Sequence, residues 1–459
     1  MMSHLRLRLA MPAVLLLGVL GPLTALASGS LNWRTNENRV TADIKSDNLF
    51  KVLEEIATVT RWQVFVEPET GHTVSAKFKD LPTGEALRRL LGDVNYALLP
   101  QSNGPARLYV FRTAQNNATR LVRPHDQADR RGHLMPNELI VRLKPGVNVA
   151  ELARALGAKV VGRLDKFNAY RLRFEDQTAA DAAREQLVNN PDVAAVDNNY
   201  TLDRPTNPQD PSVTSVPPVQ LKLNPPPSNG RVIVGLVDTA VQSLGGNLDS
   251  FLLKPISVAG DANLDPNMPS HGTSMAETIL RSLEAATKGS TSVQIQPVDV
   301  YGPNPTTSTF DVANGIAAAV NSGANVINLS LGSDADSPFL HSLIQQVRAQ
   351  NIPIFAAAGN DPVTTPYFPA AYPEVMAVTA VDQGTIAAYA NRGSFVSLGA
   401  PGTSLVYYNS QAYYVVGTSA ASAFTSGIAA GYLDSTHSSV DKMQAFIRAN
   451  FGLKPGAGP

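Results

Sequence analysis

Four residues of the sequence have the types and surroundings to carry out acyl transfer together. Asp238 ends the apolar run Val232-Ile-Val-Gly-Leu-Val-Asp238, and His271 opens His271-Gly-Thr-Ser-Met-Ala-Glu277. Asn360 closes Ala356-Ala-Ala-Gly-Asn360, and Ser419 lies in Gly417-Thr-Ser-Ala-Ala421. Singly, each has an ordinary explanation: Asp after a strand and Asn after Gly mark turns, and Ser at a helix start is a cap. Jointly they form the set a hydrolase needs. An alcohol is a poor nucleophile, so Ser419 requires a base within hydrogen-bond reach. His271 would take its proton and return it to the leaving amine, while Asp238 fixes the imidazole tautomer and stabilises the imidazolium. The oxyanion that forms needs donors already aimed at it, and the Ser419 backbone N–H and the Asn360 side-chain amide supply two.

Those residues must be positioned by regular elements. From Arg231 onward, apolar strands at 232–237, 293–300, 326–330, 354–358 and 375–381 alternate with helical stretches that begin near His271, Phe310, Pro338 and Ser419. Uninterrupted apolar strands between helices predict an α/β domain over 231–459, a mostly parallel sheet with helices on both faces. In such sheets ligands gather at the carboxyl ends of the strands, where the four residues fall.

Two small α+β domains are predicted ahead of it. Residues 134–203 read strand 139–143, helix 149–156, strands 160–164 and 170–174, helix 179–188 and strand 193–196, the ferredoxin-like order β-α-β-β-α-β. Residues 28–115 read strand 40–44, a helix from Leu49 to Val59 capped by Asn48 or Asp47, strands 62–66 and 74–78, a helix after Thr83 and a closing strand 108–111. Between them and the catalytic region, residues 204–230 hold eight prolines in 27 positions, an extended and accessible joint. Residues 1–27 carry Arg6 and Arg8, an apolar stretch and Ala25-Leu26-Ala27, and are read as a cleaved signal peptide that directs export, secreted or periplasmic.

Composition excludes whole classes. A chain of 459 residues allows about three domains. Lys+Arg 37 against Asp+Glu 38 leaves a formal charge of -1, without the basic excess that nucleic-acid binding demands. Cysteine is absent, which removes disulfides, thiol nucleophiles and Cys-ligated metals. Asp261, Asn263 and Asp265 alternate as in an EF-hand, but Pro266 stands where Gly is required and Gly272 where the bidentate Glu belongs, so the stretch is read as a turn-rich loop with no metal site. Tyr407, Tyr408, Tyr413 and Tyr414 are read as hairpin packing, and Asn117-Ala-Thr119 is a glycosylation sequon.

The chain order Asp…His…Ser is the subtilisin order. On these motifs, most of 231–445 resembles a subtilisin-like serine peptidase. Gly323-Ala-Asn-Val-Ile-Asn-Leu-Ser-Leu-Gly332 resembles the family's substrate-binding strand, which implies that Ser330, Leu331 and Gly332 bind the peptide. Ala356-Ala-Ala-Gly-Asn360 resembles the segment that lines the S1 pocket, which implies the same for Ala357, Ala358 and Gly359, with Asn360 in the oxyanion hole. Tyr389-Ala-Asn-Arg-Gly393 and Ala400-Pro-Gly402 match the approach to the nucleophile. Ser274, Glu277 and Ala240 depart from the family's usual residues, and Ala420-Ala-Ser-Ala423 lacks its proline.

The resemblance implies an exported endopeptidase acting on polypeptides, with no cofactor required for the chemistry and structural calcium common in the family but no site identified. It also makes residues 134–203 resemble the family's propeptide, chaperone and intramolecular inhibitor, with self-cleavage expected between Tyr200 and Pro211. Residues 28–115 resemble the short N-terminal domain of secretins and TonB-dependent receptors, which implies either a docking module with an envelope partner or a spacer. No membrane span is expected after signal cleavage. The rival readings are an inactive subtilase fold used as an envelope binding module, and a serine-carboxyl peptidase, against which His271 and Asn360 argue.

Overall fold

The computed structural model describes residues 30–67, 70, 72–100, 105–122, 134–207, 221–224 and 232–453. The expected signal peptide and most of the proline-rich joint lie outside the described residues. The chain forms two compact units.

One unit comprises residues up to Val52 together with His72–Gly92. Its strands Ser30–Arg34, Arg39–Asn48 and Thr73–Pro82 make an antiparallel sheet, and the helix Thr83–Leu91 lies against it. Val40, Ala42 and Ile44 alternate into its core, as period-2 patterning requires. Asn48 caps the following helix by accepting from the Phe50 N–H at 2.8 Å.

The larger unit holds three sheets of four or more strands and a two-stranded hairpin. Gln63–Val66 pairs in parallel with Arg107–Phe111, which is flanked by Asn95–Leu99. The sequence reading closes this module at 108–111, but the strand Arg120–Val122 pairs antiparallel with Gln63–Val66 and completes a four-stranded sheet. Three residues with no periodicity of their own gave no signal. The region 28–115 therefore contributes to both units.

The second sheet realises the order expected for 134–203: Leu134–Leu143, Ala169–Arg173 and Lys159–Leu164 pair antiparallel, with helices Val149–Ala155 and Gln177–Val188 on one face. Its last strand is longer than the sequence reading. It runs Val193–Asp203, and its end pairs with Thr306–Ser308 of the catalytic region. The extension exists because residues 201–203 find an open strand edge there.

The third sheet has the order Ile256–Ser257, Val293–Asp299, Val232–Asp238, Val326–Leu329, Ile354–Ala357, Met376–Asp382 and Thr385–Ile386, with Leu398–Pro401 beside Met376–Asp382. All pairs are parallel except the short Thr385–Ile386. Alternate residues of each strand enter different cores. Val237, Ile327, Ile354 and Ala356 pack with helices Thr309–Asn321 and Pro338–Ala349, while Val234, Leu236, Val326 and Phe355 pack with His271–Thr287, Thr418–Thr436 and Val440–Phe451. Two buried faces explain the unbroken apolar runs.

The helices that carry His271 and Ser419 cross closely. A Cβ added at Gly427 would stand 1.9 Å from Ser282 Oγ and 2.6 Å from Ile279 O, so a glycine is needed at the crossing. Strands Thr403–Tyr408 and Gln411–Val416 form the expected hairpin. Tyr413 is its core residue, whereas Tyr414 is exposed.

Candidate active site

Asp238 is the last residue of its strand and is fully buried. Its Oδ1 accepts from the Thr239 N–H at 2.6 Å and lies 2.8 Å from His271 Nδ1. Its Oδ2 is buried without a hydrogen-bond partner among the described residues. His271 is the first residue of its helix, behind the cap Ser270, whose side chain accepts from the Thr273 N–H. Thr239 Oγ1 accepts from the Gly272 N–H at 2.8 Å, which fixes the helix start against the strand end. The imidazole is therefore clamped by a carboxylate that water does not reach.

Ser419 lies in the first turn of Thr418–Thr436, whose N-terminus follows Gly417. Its hydroxyl donates to Ser330 O at 3.3 Å, and Ser330 Oγ donates to Ser419 O at 3.1 Å. Nucleophile–base bonds are often long before a substrate arrives and tighten in its complex. Asn360 accepts at Oδ1 from the Thr418 N–H and from Thr418 Oγ1, at 2.9 and 3.1 Å. That pair of bonds commits the carbonyl end of the side chain and leaves its Nδ2 as the donor beside Ser419.

Three of the four residues predicted to act together, His271, Asn360 and Ser419, line one cleft, and Asp238 is buried behind His271. The cleft volume is about 740 Å³, and His271, Ser330, Leu331, Gly332, Ala357, Gly359, Asn360 and Ser419 all line it. Ala358 is the correction. It is fully buried, and its N–H donates to Val378 O at 3.0 Å, because adjacent residues of an extended segment face opposite ways. Asp261, Asn263 and Asp265 are exposed, and among the described residues no three acidic or His side chains converge as a metal site.

Three contributors were missed in the sequence. Asn328 is buried in the middle of an apolar strand. Its Oδ1 accepts from Ser422 Oγ and Ser426 Oγ at 2.9 and 3.1 Å, and its Nδ2 donates to Ser330 Oγ at 2.9 Å. It ties the serine helix to the substrate-binding strand, and a lone amide in an apolar run was the available signal. Tyr367 stands between the two segments read as substrate-binding: its hydroxyl donates to Gly332 O at 2.7 Å, and Cβ atoms at Gly332 and Gly359 would meet its ring at 2.4 and 3.2 Å. Burial pushes its phenol up. Glu277, noted in the sequence only as a departure, pairs with Arg281 at 2.5 Å and accepts from the Tyr407 N–H at 2.8 Å, holding the hairpin to the histidine helix. Burial pushes its carboxyl up against the pull of Arg281.

The chain itself enters the cleft. After Asp203, residues 204–207 run along its wall, and the His271 N–H donates to Asn207 Oδ1 at 3.2 Å.

Known proteins similar to this chain point to one family. A profile described as the subtilase family matches residues 229–451, and one described as the fervidolysin N-terminal prodomain matches 123–199. Neither matched stretch includes residues 28–115. The thermophilic serine proteinase of Bacillus sp. (strain AK1) is 30% identical over 338 residues, 69% of this chain and 82% of its own. Subtilisin Savinase of Lederbergia lenta is 31% identical over 186 residues, 38% of this chain and 69% of its own. Among solved structures, the fold is similar to fervidolysin of Fervidobacterium pennivorans, with TM-score 0.51 and 20% identity over 66% of this chain and 55% of that one. It is also similar to the epidermin leader peptide processing serine protease of Staphylococcus aureus, with TM-score 0.53 and 16% identity over 70% of this chain and 95% of that one. On the strength of the first relative and of the two profiles in chain order, this chain belongs to the subtilase family of serine peptidases, hydrolases acting on peptide bonds, and carries a fervidolysin-like prodomain ahead of its catalytic domain.

Proposed function

We propose that the chain is an exported serine endopeptidase, secreted or periplasmic, made as a zymogen that cuts itself within residues 204–211. The observation that carries this reading is the run of residues 204–207 past a clamped Asp238–His271 pair in a cleft lined by Ser419. Ser419 Oγ attacks the scissile carbonyl, His271 takes its proton, and the acyl-enzyme forms as the amine leaves with that proton. Asp238 holds the imidazole with Nδ1 protonated and Nε2 free, and stabilises the charge that develops. The Ser419 N–H and Asn360 Nδ2 bind the oxyanion, and loss of one such donor costs about 10²–10³ in turnover, the magnitude found in subtilisin. Water then repeats the sequence on the acyl carbonyl, and the chemistry asks for no cofactor.

Ser330, Leu331 and Gly332 flank the substrate on one side, with Ala357 and Gly359 on the other. Tyr367 closes the space between them, so the side chain before the cut is small. Residues 134–203 act as the intramolecular inhibitor. The N-terminal module is assigned an envelope-docking or spacer role by resemblance alone.

Fluorophosphonate labelling of wild type and Ser419→Ala, with mass spectrometry of every band, tests the reading. The expected result is label on a C-terminal fragment of roughly half the chain, with both label and processing lost in the variant; that loss corresponds to about 10⁶ in turnover in subtilisin. A protein that does not process itself, and whose catalytic domain stays unlabelled after trypsin has removed the prodomain, would establish the inactive binding module instead.

A further inference from the structure

Arg204 is the one charged side chain of the segment in the cleft whose surroundings belong almost wholly to the catalytic domain. Its backbone N–H donates to Pro305 O at 2.9 Å, continuing the antiparallel pairing of residues 201–203 with Thr306–Ser308. Its guanidinium turns inward. Nε donates to Asn304 O at 3.0 Å, Nη2 donates to Gly302 O, and Cζ stands 5.3 Å from the centroid of the Tyr301 ring.

The turn that presents these groups is built rigidly. Asp299 Oδ1 accepts from the Tyr301 and Gly302 N–H groups at 2.9 and 3.0 Å, which aims the carbonyls outward. Gly302 has φ +55, and a Cβ there would stand 2.2 Å from Ala259 O. Asp299 Oδ2 is buried with no hydrogen-bond partner among the described residues. Tyr301 is fully buried, and its hydroxyl donates to Asp203 O at 3.1 Å, a backbone contact that any peptide in the same place could make.

When the prodomain leaves, all of these groups except Arg204 and Asp203 stay. Two carbonyls and the face of the Tyr301 ring are then left where the guanidinium lay, with the Asp299 carboxylate buried in the same turn. Each favours a cation, and together they suit a planar one: the carbonyls accept from the guanidinium edge while its face stacks on the ring.

We propose that Asp299, Tyr301, Gly302 and Asn304 form a subsite that selects an arginine in the polypeptide substrate, and that Arg204 occupies it in the zymogen. The proposal rests on the reading of residues 204–207 as a substrate-like segment. With the cut among the bonds from Pro205 to Asn207, the selected arginine lies two or three residues before it. Lysine fits less well, because an ammonium can reach the carbonyls but cannot stack.

The test uses the self-processed enzyme, titrated with fluorophosphonate, on peptides spanning residues 202–208 with Arg204 kept or replaced by Lys, Gln or Glu. The expected kcat/KM for the Gln peptide is about ten- to a hundredfold below that for Arg, with Lys between them and Glu lowest. Equal turnover of the Arg and Gln peptides by enzyme that takes the label overturns the subsite and leaves the peptidase reading standing. Absence of both label and cleavage overturns both. In Tyr301→Leu, the Arg-to-Gln ratio should fall below about threefold; an unchanged ratio puts the selection elsewhere and overturns the assignment. If Tyr301→Leu does not accumulate, the same ratio is read in Asp299→Asn.

Discussion

Two small sheets lie against the catalytic domain within one compact unit, and they are joined to it by different means. The prodomain sheet is buried on both faces. Leu139, Val141, Leu143, Tyr170 and Leu172 face its own two helices, while Ile140, Leu164, Ala169 and Leu202 join the cluster that contains Phe310 and Phe339. Gly162 allows the approach: a Cβ there would meet Phe310 Cε1 at 2.6 Å. Polar groups complete the joint. Arg171 pairs with Asp311 at 2.8 Å, and Asn199 Oδ1 accepts from Thr309 Oγ1 and the Phe310 N–H at 3.0 and 3.2 Å. The four-stranded sheet offers far less. Phe65 and Ala118 meet Val363, and the Thr364 N–H donates to Thr119 O at 2.8 Å. The difference teaches that this prodomain is held by burying a whole second face and lending a strand, whereas a module that only borders the cleft needs a patch.

That contrast can be broken or sharpened in the Ser419→Ala background, where the chain stays whole. The largest effect is expected for Arg171→Ala, which leaves the partly buried Asp311 carboxylate with the Ser308 hydroxyl but no cation and costs about 3 kcal/mol. Trypsin should then cut the joint at 204–230 sooner and the melting temperature should fall; an unchanged cutting rate would mean that the ion pair does not hold the prodomain. Gly162→Val forces a side chain into Phe310 and should cost about 1–3 kcal/mol, read in the same two assays. Val363→Ala removes two methyl groups from the smaller joint and should cost about 1.5 kcal/mol. Its expected readout is faster hydrogen exchange at the Thr364 amide with the prodomain joint unaffected, and a loosened prodomain would show the two joints to be coupled.

The smallest effect is a pH dependence. Burial pushes the Asp311 carboxyl up, with Arg171 and Ser308 opposing it. A carboxyl raised by folding binds its proton more tightly in the folded chain, so its contribution is full below the ordinary carboxylate pKa and is lost as pH rises through the folded value. Relative to Asp311→Asn, wild type should therefore lose melting temperature as the pH is raised from about 4 to 7. A difference that is flat, or that grows with pH, would show the pair with Arg171 outweighing burial.

Much of the site was legible because its chemistry is bound to local signals. Asp238 had to end an apolar run and His271 had to open a helix, since strand ends and helix starts are where such sheets expose groups. A cap residue was equally readable, as Asn48 shows. Other features had no local mark. The run Leu139-Ile-Val-Arg-Leu143 is explained by burial on both faces, yet nothing nearby announces the surface that covers Ile140. Ala357 and Ala358 are identical in type, and only the direction of each in the extended segment separates the cleft from the core.

The sequence by itself determined the parallel α/β frame, the ferredoxin-like order of the prodomain and the subtilase family, and it named the residues proposed as the triad, because residue type, spacing and periodicity act over short stretches of chain. Only the tertiary structure decided what fills the space between Gly332 and Gly359, which amide anchors the serine helix, and what receives Arg204. Those depend on groups brought together across separations such as the 98 residues between Arg204 and Gly302. Their contact energy exists only once packing has closed the intervening chain, and no local pattern encodes it.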